Sequence, residues 1–344
     1  MIHIGNHPIG KGHPCFILAE ISCNHNGSFD LAQKLVRAAA WAGADAVKFQ
    51  TYRPSCLAVQ SDHKAHRLTS GPWAGKRLWD LYEEAQTPWE WLVPLFDLAR
   101  ELGLVPLTSV SSLEGLQYVE TTVDPVAYKI PSADVTDAEL LKAVALTGKP
   151  VIISDGMTTP TQLGQALHIL GSQAVLLRCV SEYPASPESY RLSVIRELSG
   201  GSVPIGISDH TRGDHIAVAS VALGARVIEK HIMLPPEDYE TEPLDVGHSV
   251  IPREFARMVR HVRAVERSLA ALPSLGVEDG VGTGFRRRLV FIADLPKGAQ
   301  IRPEHIRTAR CGEGLEPEDA PRVFGRAVVG DVRYGDPVTE DILR

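Results

Sequence analysis

The fold class is decided by residues 205–232, which read IGISDHTRGDHIAVASVALGARVIEKHI. Two short apolar runs, Ile205–Ser208 and Arg226–Ile232, flank a segment in which apolar residues recur at helical spacing, His215–Leu223. A strand, a helix and a second strand within so short a stretch indicate a βαβ unit with parallel strands.

The same alternation repeats along most of the chain. The predicted strands are Phe16–Ser22, Ala46–Gln50, Val105–Val110, Ala127–Pro131, Val151–Ser154, Val175–Val180, Ile205–Ser208 and Arg226–Ile232. The predicted helices are Asp30–Ala42, Trp89–Leu102, Leu113–Val119, Ala138–Leu146, Thr161–Leu170, Ser189–Leu198, His215–Leu223 and Arg253–Leu269. Eight strand–helix units in roughly 250 residues predict an α/β fold of the TIM (β/α)8 barrel type. An open doubly wound sheet is the alternative, but no glycine-rich dinucleotide turn follows the first strand.

The pattern changes after Leu269. The stretch PSLGVEDGVGTG, residues 273–284, contains four glycines and one proline and is typical of a linker. We therefore predict a barrel domain over residues 1–271, a linker over 272–284 and a small turn-rich module over 285–344 with little room for a core. A dozen extended residues span up to about 40 Å, which is enough to reach a neighbouring subunit.

Composition excludes several classes of protein. The 344 residues include 35 Lys+Arg and 42 Asp+Glu, and a net charge of −7 argues against a general binder of nucleic acid or membrane surfaces. There is neither an apolar run of about 18 residues nor a signal-peptide pattern, so we expect a cytoplasmic protein. Five scattered cysteines predict reduced thiols, and Cys179 is interpreted as a small core residue rather than a nucleophile.

Polar residues end or follow each predicted strand, at the edge where TIM barrels place their active sites. They are Glu20, Lys48, Gln50, Thr108, Ser109, Lys129, Ser132, Asp134, Ser154, Asp155, Ser181, Glu182, Tyr183, Ser208, Asp209, His210, Glu229, Lys230 and His231. Lys48 and Lys129 lie inside apolar strands, where a lysine must be paired or functional. The hydroxyls could merely bond backbone at loop starts. Beside two lysines, however, they indicate an oxyanion or phosphate site.

Histidines end two adjacent predicted strands. His210 and His231 could each be a core histidine, but together they could supply two neutral imidazole ligands to one divalent metal. By contrast, His63 and His66 share a polar segment and are interpreted as surface residues. The run Arg286–Arg288 is interpreted as a solvated edge or a docking contact.

The order of six motifs resembles that of the sialic acid synthase family. The motifs are AEISCNHNGS, GADAVKFQT, AYKIPSAD, PVIISDGM, IGISDHTRG and ALGARVIEKH. The C-terminal module resembles the antifreeze-like (SAF) domain of that family. Residues 71–91, GPWAGKRLWDLYEEAQTPWEW, are most similar to the pseudaminic acid synthase branch. The resemblance implies a transferase that condenses phosphoenolpyruvate with an N-acylated amino-sugar aldehyde and releases phosphate by C–O cleavage.

The resemblance also implies roles for individual residues. His210 and His231 would hold a divalent cation, manganese in first place with magnesium or cobalt as alternatives, and Glu20 would manage protons and the attacking water. The residues at phosphoenolpyruvate-binding positions are Lys48, Ser109, Lys129, Ser132, Ser154, Ser181 and Ser208. The sugar-facing positions hold Gln50, Asp134, Tyr183, Asp245 and Arg310. Arg310 would reach the partner subunit's site, which implies a domain-swapped homodimer.

Several positions depart from the family pattern. They are Val110-Ser111, Asp134, Asp155, Glu182 and His248, the last standing where an aromatic residue is common. Because these departures fall mainly on the sugar side, we expect the chemistry to be retained and the sugar specificity to differ. Asp155 and Glu182 would then meet a free amine or extra hydroxyls, unless both acids face solvent.

Other functions compete with this interpretation. N-acetylneuraminate or legionaminic acid synthase is the alternative within the family. A Schiff-base aldolase with Lys129 as nucleophile is possible on the same barrel, but it leaves the two histidines unexplained. A non-catalytic binding or ice-interacting protein would have a decayed barrel site, whereas here the charged residues and histidines are all present.

Overall fold

The computed structural model describes residues 2–270 and 283–343, which belong to two compact units divided after Ala271. In the first unit, β1 (Ile2–Ile4) and β2 (His7–Ile9) form an antiparallel hairpin. The next eight strands are β3 (Phe16–Glu20), β4 (Ala46–Thr51), β5 (Val105–Val110), β6 (Tyr128–Ile130), β7 (Val151–Ser154), β8 (Ala174–Cys179), β9 (Ile205–Asp209) and β10 (Val227–His231). They pair in parallel in chain order, and β10 pairs with β3. The predicted TIM barrel is confirmed.

Helices connect the barrel strands. They are α1 (Phe29–Trp41), α2 (Pro54–Leu57), α3 (Leu78–Ala85), α4 (Leu92–Glu101), α5 (Leu113–Thr122), α6 (Ala138–Leu146), α7 (Pro160–Leu170), α8 (Ser193–Leu198), α9 (His215–Ala222) and α10 (Pro252–Ala270). Helix α1 shows the local rules, because the Ser28 hydroxyl caps it by accepting a hydrogen bond from the Leu31 amide. Within the described ranges, no helix combines the length and apolarity needed to cross a membrane.

Alternate side chains of the strands fill the barrel interior. The lower interior is an apolar cluster of Phe16, Leu18, Ala46, Leu107, Ala127, Ile152, Val175, Leu177 and Val227. Ile4 and Ile9 of the hairpin pack against this cluster, so the hairpin covers the end where the strands begin. The alternate strand residues, such as Ile17 and Val47, point outward and pack in a second core under the helices.

Two predicted helices start later than expected. Helix α4 begins at Leu92, because Trp89–Trp91 form a 3-10 turn after Pro88. Helix α8 begins at Ser193, because Arg191 has a φ of 46°, a left-handed conformation that a helix cannot continue through. Helices α2 and α3 and the N-terminal hairpin were not predicted, since each is too short to show a repeated apolar period.

One ion pair is buried on the outer side of the barrel wall. Lys230 Nζ lies 2.9 Å from Asp209 Oδ2, and both side chains are fully buried. The second oxygen of Asp209 accepts hydrogen bonds from the Thr211 amide and hydroxyl at 2.9 and 2.7 Å. The pair therefore ties β9 to β10 beside the two histidines that end these strands, His210 and His231.

The second unit has its own core. Strands β11 (Arg287–Phe291) and β12 (Ile306–Arg310) pair antiparallel, and α11 (Ala320–Val323) follows them. Leu289, Phe291 and Val338 are buried in its apolar cluster, so the expectation of little room for a core was wrong. Residues 271–282, and with them most of the predicted linker 272–284, lie outside the described residues.

Gly206 provides a test of the barrel packing. A Cβ at this position would lie 2.2 Å from the Val227 carbonyl oxygen and 2.8 Å from Leu177 Cδ2. We expect Gly206→Ala to lower the free energy of unfolding by about 1–3 kcal/mol, as overpacked cores do, in urea titrations followed by circular dichroism. Gly164→Ala in α7, where a Cβ meets open space, is the matched control and should raise stability by about 0.5–1 kcal/mol. Equal stability of the two variants would contradict this packing.

Candidate active site

A cavity of about 340 Å³ lies at the C-terminal ends of the barrel strands. Its lining includes the predicted site residues Glu20, Lys48, Gln50, Lys129, Ser132, Ser154, Ser181, Tyr183, Ser208, His210, His231 and Asp245. Three predicted residues are not in the lining: Ser109, Asp134 and Arg310. Residues from seven of the eight strands or the loops that follow them therefore converge on one cavity.

Four buried charges occupy the floor of this cavity. Lys48 contacts Glu20, and its Nζ lies 3.8 Å from Glu229 Oε2. Lys129 Nζ lies 3.7 Å from Glu229 Oε1, which also accepts a 2.8 Å hydrogen bond from the Ser208 hydroxyl. Glu229 therefore bridges both lysines; it was named among the polar residues at the strand ends, but no role was predicted for it. The two-residue alternation in IEKHI places it on the same face as His231, which is the signal that could have found it.

The pKa values follow from this pairing. Burial alone would raise the pKa of Glu229, but the charges of Lys129 and Lys48 outweigh burial and lower it to about 2. Burial disfavours the charged form of Lys48, yet the carboxylates of Glu20 and Glu229 raise its pKa. For Lys129, burial prevails and lowers the pKa. Burial likewise raises the pKa of Glu20 against the opposing charge of Lys48. Glu20 is therefore the carboxylate of this group with a raised proton affinity.

Serine hydroxyls form a cradle beside the lysines. The Oγ atoms of Ser154 and Ser181 are buried without a hydrogen-bond partner, and Ser132 Oγ accepts a 3.1 Å bond from the Gly156 amide. A Cβ on Gly156 would lie 2.6 Å from Ser181 Oγ and 3.0 Å from Ser132 Oγ, so glycine lets these hydroxyls converge. Unpartnered donors beside two lysines suit an anion with several oxygens.

Two predicted hydroxyls do not join this cradle. Thr108 Oγ1 bonds Thr51 Oγ1 at 2.7 Å and the Phe49 carbonyl at 3.2 Å, so its expected place in the oxyanion site was wrong. The Thr108 side chain lies on the face of β5 opposite to the side chains that point into the barrel. Ser109 is buried on β5 and paired in register with Gln50 and Lys129, but it lies outside the cavity lining.

Histidines form the opposite side of the cavity. His210 Nδ1 donates to the Val180 carbonyl at 2.7 Å, and its Nε2 lies 3.4 Å from the Ser208 hydroxyl. The His210 and His231 rings are 5.3 Å apart. His231 Nδ1 lies 3.2 Å from Asp245 Oδ2, so Asp245, predicted to face the sugar, belongs to the histidine cluster. Cys179 lines the same cavity and hydrogen-bonds His210, so it is not only a core residue.

A fourth side chain, His248, completes this group, and its ring lies 4.6 Å from that of His231. Donor atoms of His231, Asp245 and His248 lie within 4.8 Å of one another. His248 Nε2 is buried without a hydrogen-bond partner. Burial lowers the pKa of His248 to about 2, which keeps this imidazole neutral. Imidazole nitrogens beside a carboxylate fit a divalent cation.

The other predicted sugar-side residues lie elsewhere. The Asp155 carboxylate is occupied by Arg178 Nη1 at 3.0 Å and the Cys179 amide at 2.7 Å, so the hypothesis that it meets a sugar amine was wrong. Glu182 is exposed, accepts a 3.2 Å bond from the Ser189 hydroxyl and does not line the cavity. Arg310 is exposed on β12 of the second unit.

Asp134 lies beside the cavity but outside its lining. Its carboxyl hydrogen-bonds Ser111, and burial raises the pKa to about 6. Asp134 therefore changes charge near neutral pH.

An aromatic and apolar wall faces the charged residues, and the sequence analysis did not assign it to the site. It consists of Tyr52, Leu68, Trp73, Leu78, Leu81 and Tyr82. The Trp73 indole donates to the Leu244 carbonyl at 3.3 Å, and its ring lies 5.6 Å from Tyr183. The segment GPWAGKRLWDLYEEA contained the signal, because it places several large apolar residues close together.

Comparisons with known proteins agree with this geometry. The chain is 35% identical to the pseudaminic acid synthase of Campylobacter jejuni subsp. jejuni, over 98% of this chain and 99% of the relative. It is 33% identical to the N-acetylneuraminate-9-phosphate synthase of Homo sapiens, over 97% and 94% of the two chains.

A solved structure is similar in fold and sequence. The N-acetylneuraminic acid (sialic acid) synthetase of Leptospira borgpetersenii, in complex with citrate, superposes with a TM-score of 0.70 and 28% identity, covering 80% of this chain and 92% of that chain. Residues 35–272 match the NeuB family and residues 286–344 match the SAF domain. This chain is therefore a member of the NeuB family with a C-terminal SAF domain.

Proposed function

We propose that this enzyme condenses phosphoenolpyruvate with an N-acylated amino-sugar aldehyde to make a nonulosonic acid, with pseudaminic acid as the preferred product. The observation that carries the proposal is the shared cavity, in which two lysines and unpartnered serine hydroxyls lie opposite a histidine cluster. The full-length similarity to pseudaminic acid synthases supports the choice of product. N-acetylneuraminate and legionaminic acid are the competing products, since synthases of both types are also similar.

The anionic substrate fits the lysine side of the cavity. Lys48 and Lys129 would bind the phosphate and carboxylate of phosphoenolpyruvate, and the hydroxyls of Ser154 and Ser181 would gain the partners they lack. Glu229 lies between the two lysines and holds them in place. Charge-assisted bonds from a fixed cradle orient the enol carbon toward the histidines.

The histidine side would bind the sugar aldehyde. His210 and His231 would hold a divalent cation, with manganese as our first choice, and the cation would act as a Lewis acid on the aldehyde oxygen. C3 of phosphoenolpyruvate would bond to the aldehyde carbon, whose oxygen would take the proton carried by Glu20. A water oxygen would add to C2 and return one proton to Glu20. Phosphate would then leave with the bridging oxygen and take the remaining proton of the C2 hydroxyl, which becomes the ketone. The raised pKa of Glu20 fits that role.

The apolar wall supports a deoxygenated, acylated sugar. Trp73, Leu78 and Tyr82 offer no charge to the substrate, and their surfaces suit the methyl group of a 6-deoxy sugar and the methyl groups of acetamido substituents. A Schiff-base aldolase is less well supported, because its nucleophile, Lys129, lies within 3.7 Å of Glu229 and its use would leave the histidine cluster without a role.

The first test measures phosphate release from phosphoenolpyruvate with a panel of aldehydes: N-acetylmannosamine, the diacetamido-trideoxyhexoses and their de-acylated analogues. Neither Asp155 nor Glu182 lines the cavity, so the expected change in sugar specificity loses its support. We expect release only with a diacetamido sugar and a divalent metal, and loss of release in EDTA. His231→Ala should abolish turnover, whereas His261→Ala, on the exposed face of α10, should not. EDTA-resistant turnover, or full activity of His231→Ala, would contradict the metal role.

A second test addresses the serine cradle. Gly156→Ala would place a Cβ against Ser181 and Ser132, so we expect KM for phosphoenolpyruvate to rise on the order of tenfold with a smaller change in kcat. The KM for the sugar should stay close to its original value. Gly164→Ala is the control and should leave both constants unchanged. An unaltered KM for phosphoenolpyruvate in Gly156→Ala would place the anion elsewhere.

A third test addresses the proposed domain-swapped homodimer, in which Arg310 enters the partner's cavity. Heterodimers of a His231→Ala chain and an Arg310→Ala chain, purified through two different tags, would contain one intact site. We expect about half of the wild-type activity per dimer, well above either parent homodimer at low sugar concentration. Activity no higher than the mean of the parents, or failure to form any dimer, would contradict the exchange.

A further inference from the structure

His248 is a buried imidazole whose ring nitrogen Nε2 has no partner. Its side chain is 2% exposed, and Nε2 makes no hydrogen bond. The ring packs against Tyr183 at 4.8 Å, a contact that a phenyl ring would make without burying a polar atom. The imidazole therefore carries a desolvation cost that packing alone does not explain.

The unpartnered Nε2 atom of His248 lies close to other side chains that can bind a metal ion. The His248 ring is 4.6 Å from the His231 ring and 5.8 Å from the His210 ring, and its Nε2 lies 3.8 Å from Asp245 Oδ2. The His248 amide bonds the Asp245 carbonyl at 3.3 Å, so one turn presents both side chains. Donors bound to one cation at about 2.1 Å lie roughly 3–4 Å apart. Donor atoms of His231, Asp245 and His248 already lie within 4.8 Å of one another.

We propose that His248 is a third imidazole ligand of the divalent-cation site formed by His210 and His231. This inference rests on the metal site of the proposed function and adds a ligand to it. Three nitrogen donors favour cobalt or zinc over magnesium more strongly than two do. We therefore expect the third imidazole to raise the affinity for cobalt and zinc more than the affinity for magnesium.

The test uses Co²⁺ with the full chain and reads binding rather than turnover. Affinity is measured by equilibrium dialysis and coordination by the visible absorption of bound Co²⁺, in wild type and in His248→Phe, which preserves the ring packing. We expect His248→Phe to weaken Co²⁺ binding at least on the order of tenfold and to alter the spectrum, with a much smaller change for Mg²⁺. His66→Ala is the control variant, because His66 and His63 are a second pair of neighbouring histidines, with rings 6.4 Å apart. Its Co²⁺ affinity and spectrum should match those of the wild type.

A second measurement does not depend on a variant folding. X-ray absorption of the Co²⁺-loaded wild type counts imidazole ligands, and we expect three. Two imidazoles, or a His248→Phe variant with unchanged affinity and spectrum, would overturn the proposal. The proposed function would still stand if His231→Ala lost the bound Co²⁺. A wild type that binds no Co²⁺, or a His231→Ala variant that binds it as tightly as wild type, would overturn both.

Discussion

The closed barrel imposes one constraint on which the rest of the structure depends: every second residue of each strand must point inward. At the bottom those positions are apolar and are covered by the N-terminal hairpin. Nearer the C-terminal end the same positions hold Glu20, Lys48, Lys129 and Glu229. Burying four charges is tolerable only because each has an opposite charge within reach, since isolated ions would lose their hydration without compensation. An anionic ligand would enter a network whose charges are already held in position.

The strand residues that point outward determine the outer side of the same barrel wall. Asp209 and Lys230 precede His210 and His231 in sequence, and their buried ion pair joins the two strands on the helix side. Because neighbouring residues of a strand face opposite ways, the pair sets the spacing of the histidines without touching the cavity. The histidine positions thus depend on an interaction outside the site.

The sequence predicted the barrel and most of the cavity lining because both follow from strand ends. Strict use of the alternation would also have included Glu229 and excluded Thr108, whose hydroxyl bonds Thr51 in the wall. Other features depend on contacts between distant segments that no local pattern specifies. Asp155 is held by Arg178 across two strands, and Trp73 comes from a loop far from its neighbour Tyr183 in sequence.

The two halves of the cavity have different structural origins. The charged residues of the anion side, Lys48, Lys129 and Glu229, lie on barrel strands, and the serine hydroxyls come from the strand ends and the loops directly after them. The apolar wall and the turn bearing Asp245 and His248 belong to connecting segments, which tolerate change. His210 and His231 come from the barrel, so the histidine cluster lies where the two origins meet. A substitution in one loop can therefore alter the histidine cluster and the apolar wall together while the lysines and the serine cradle stay intact.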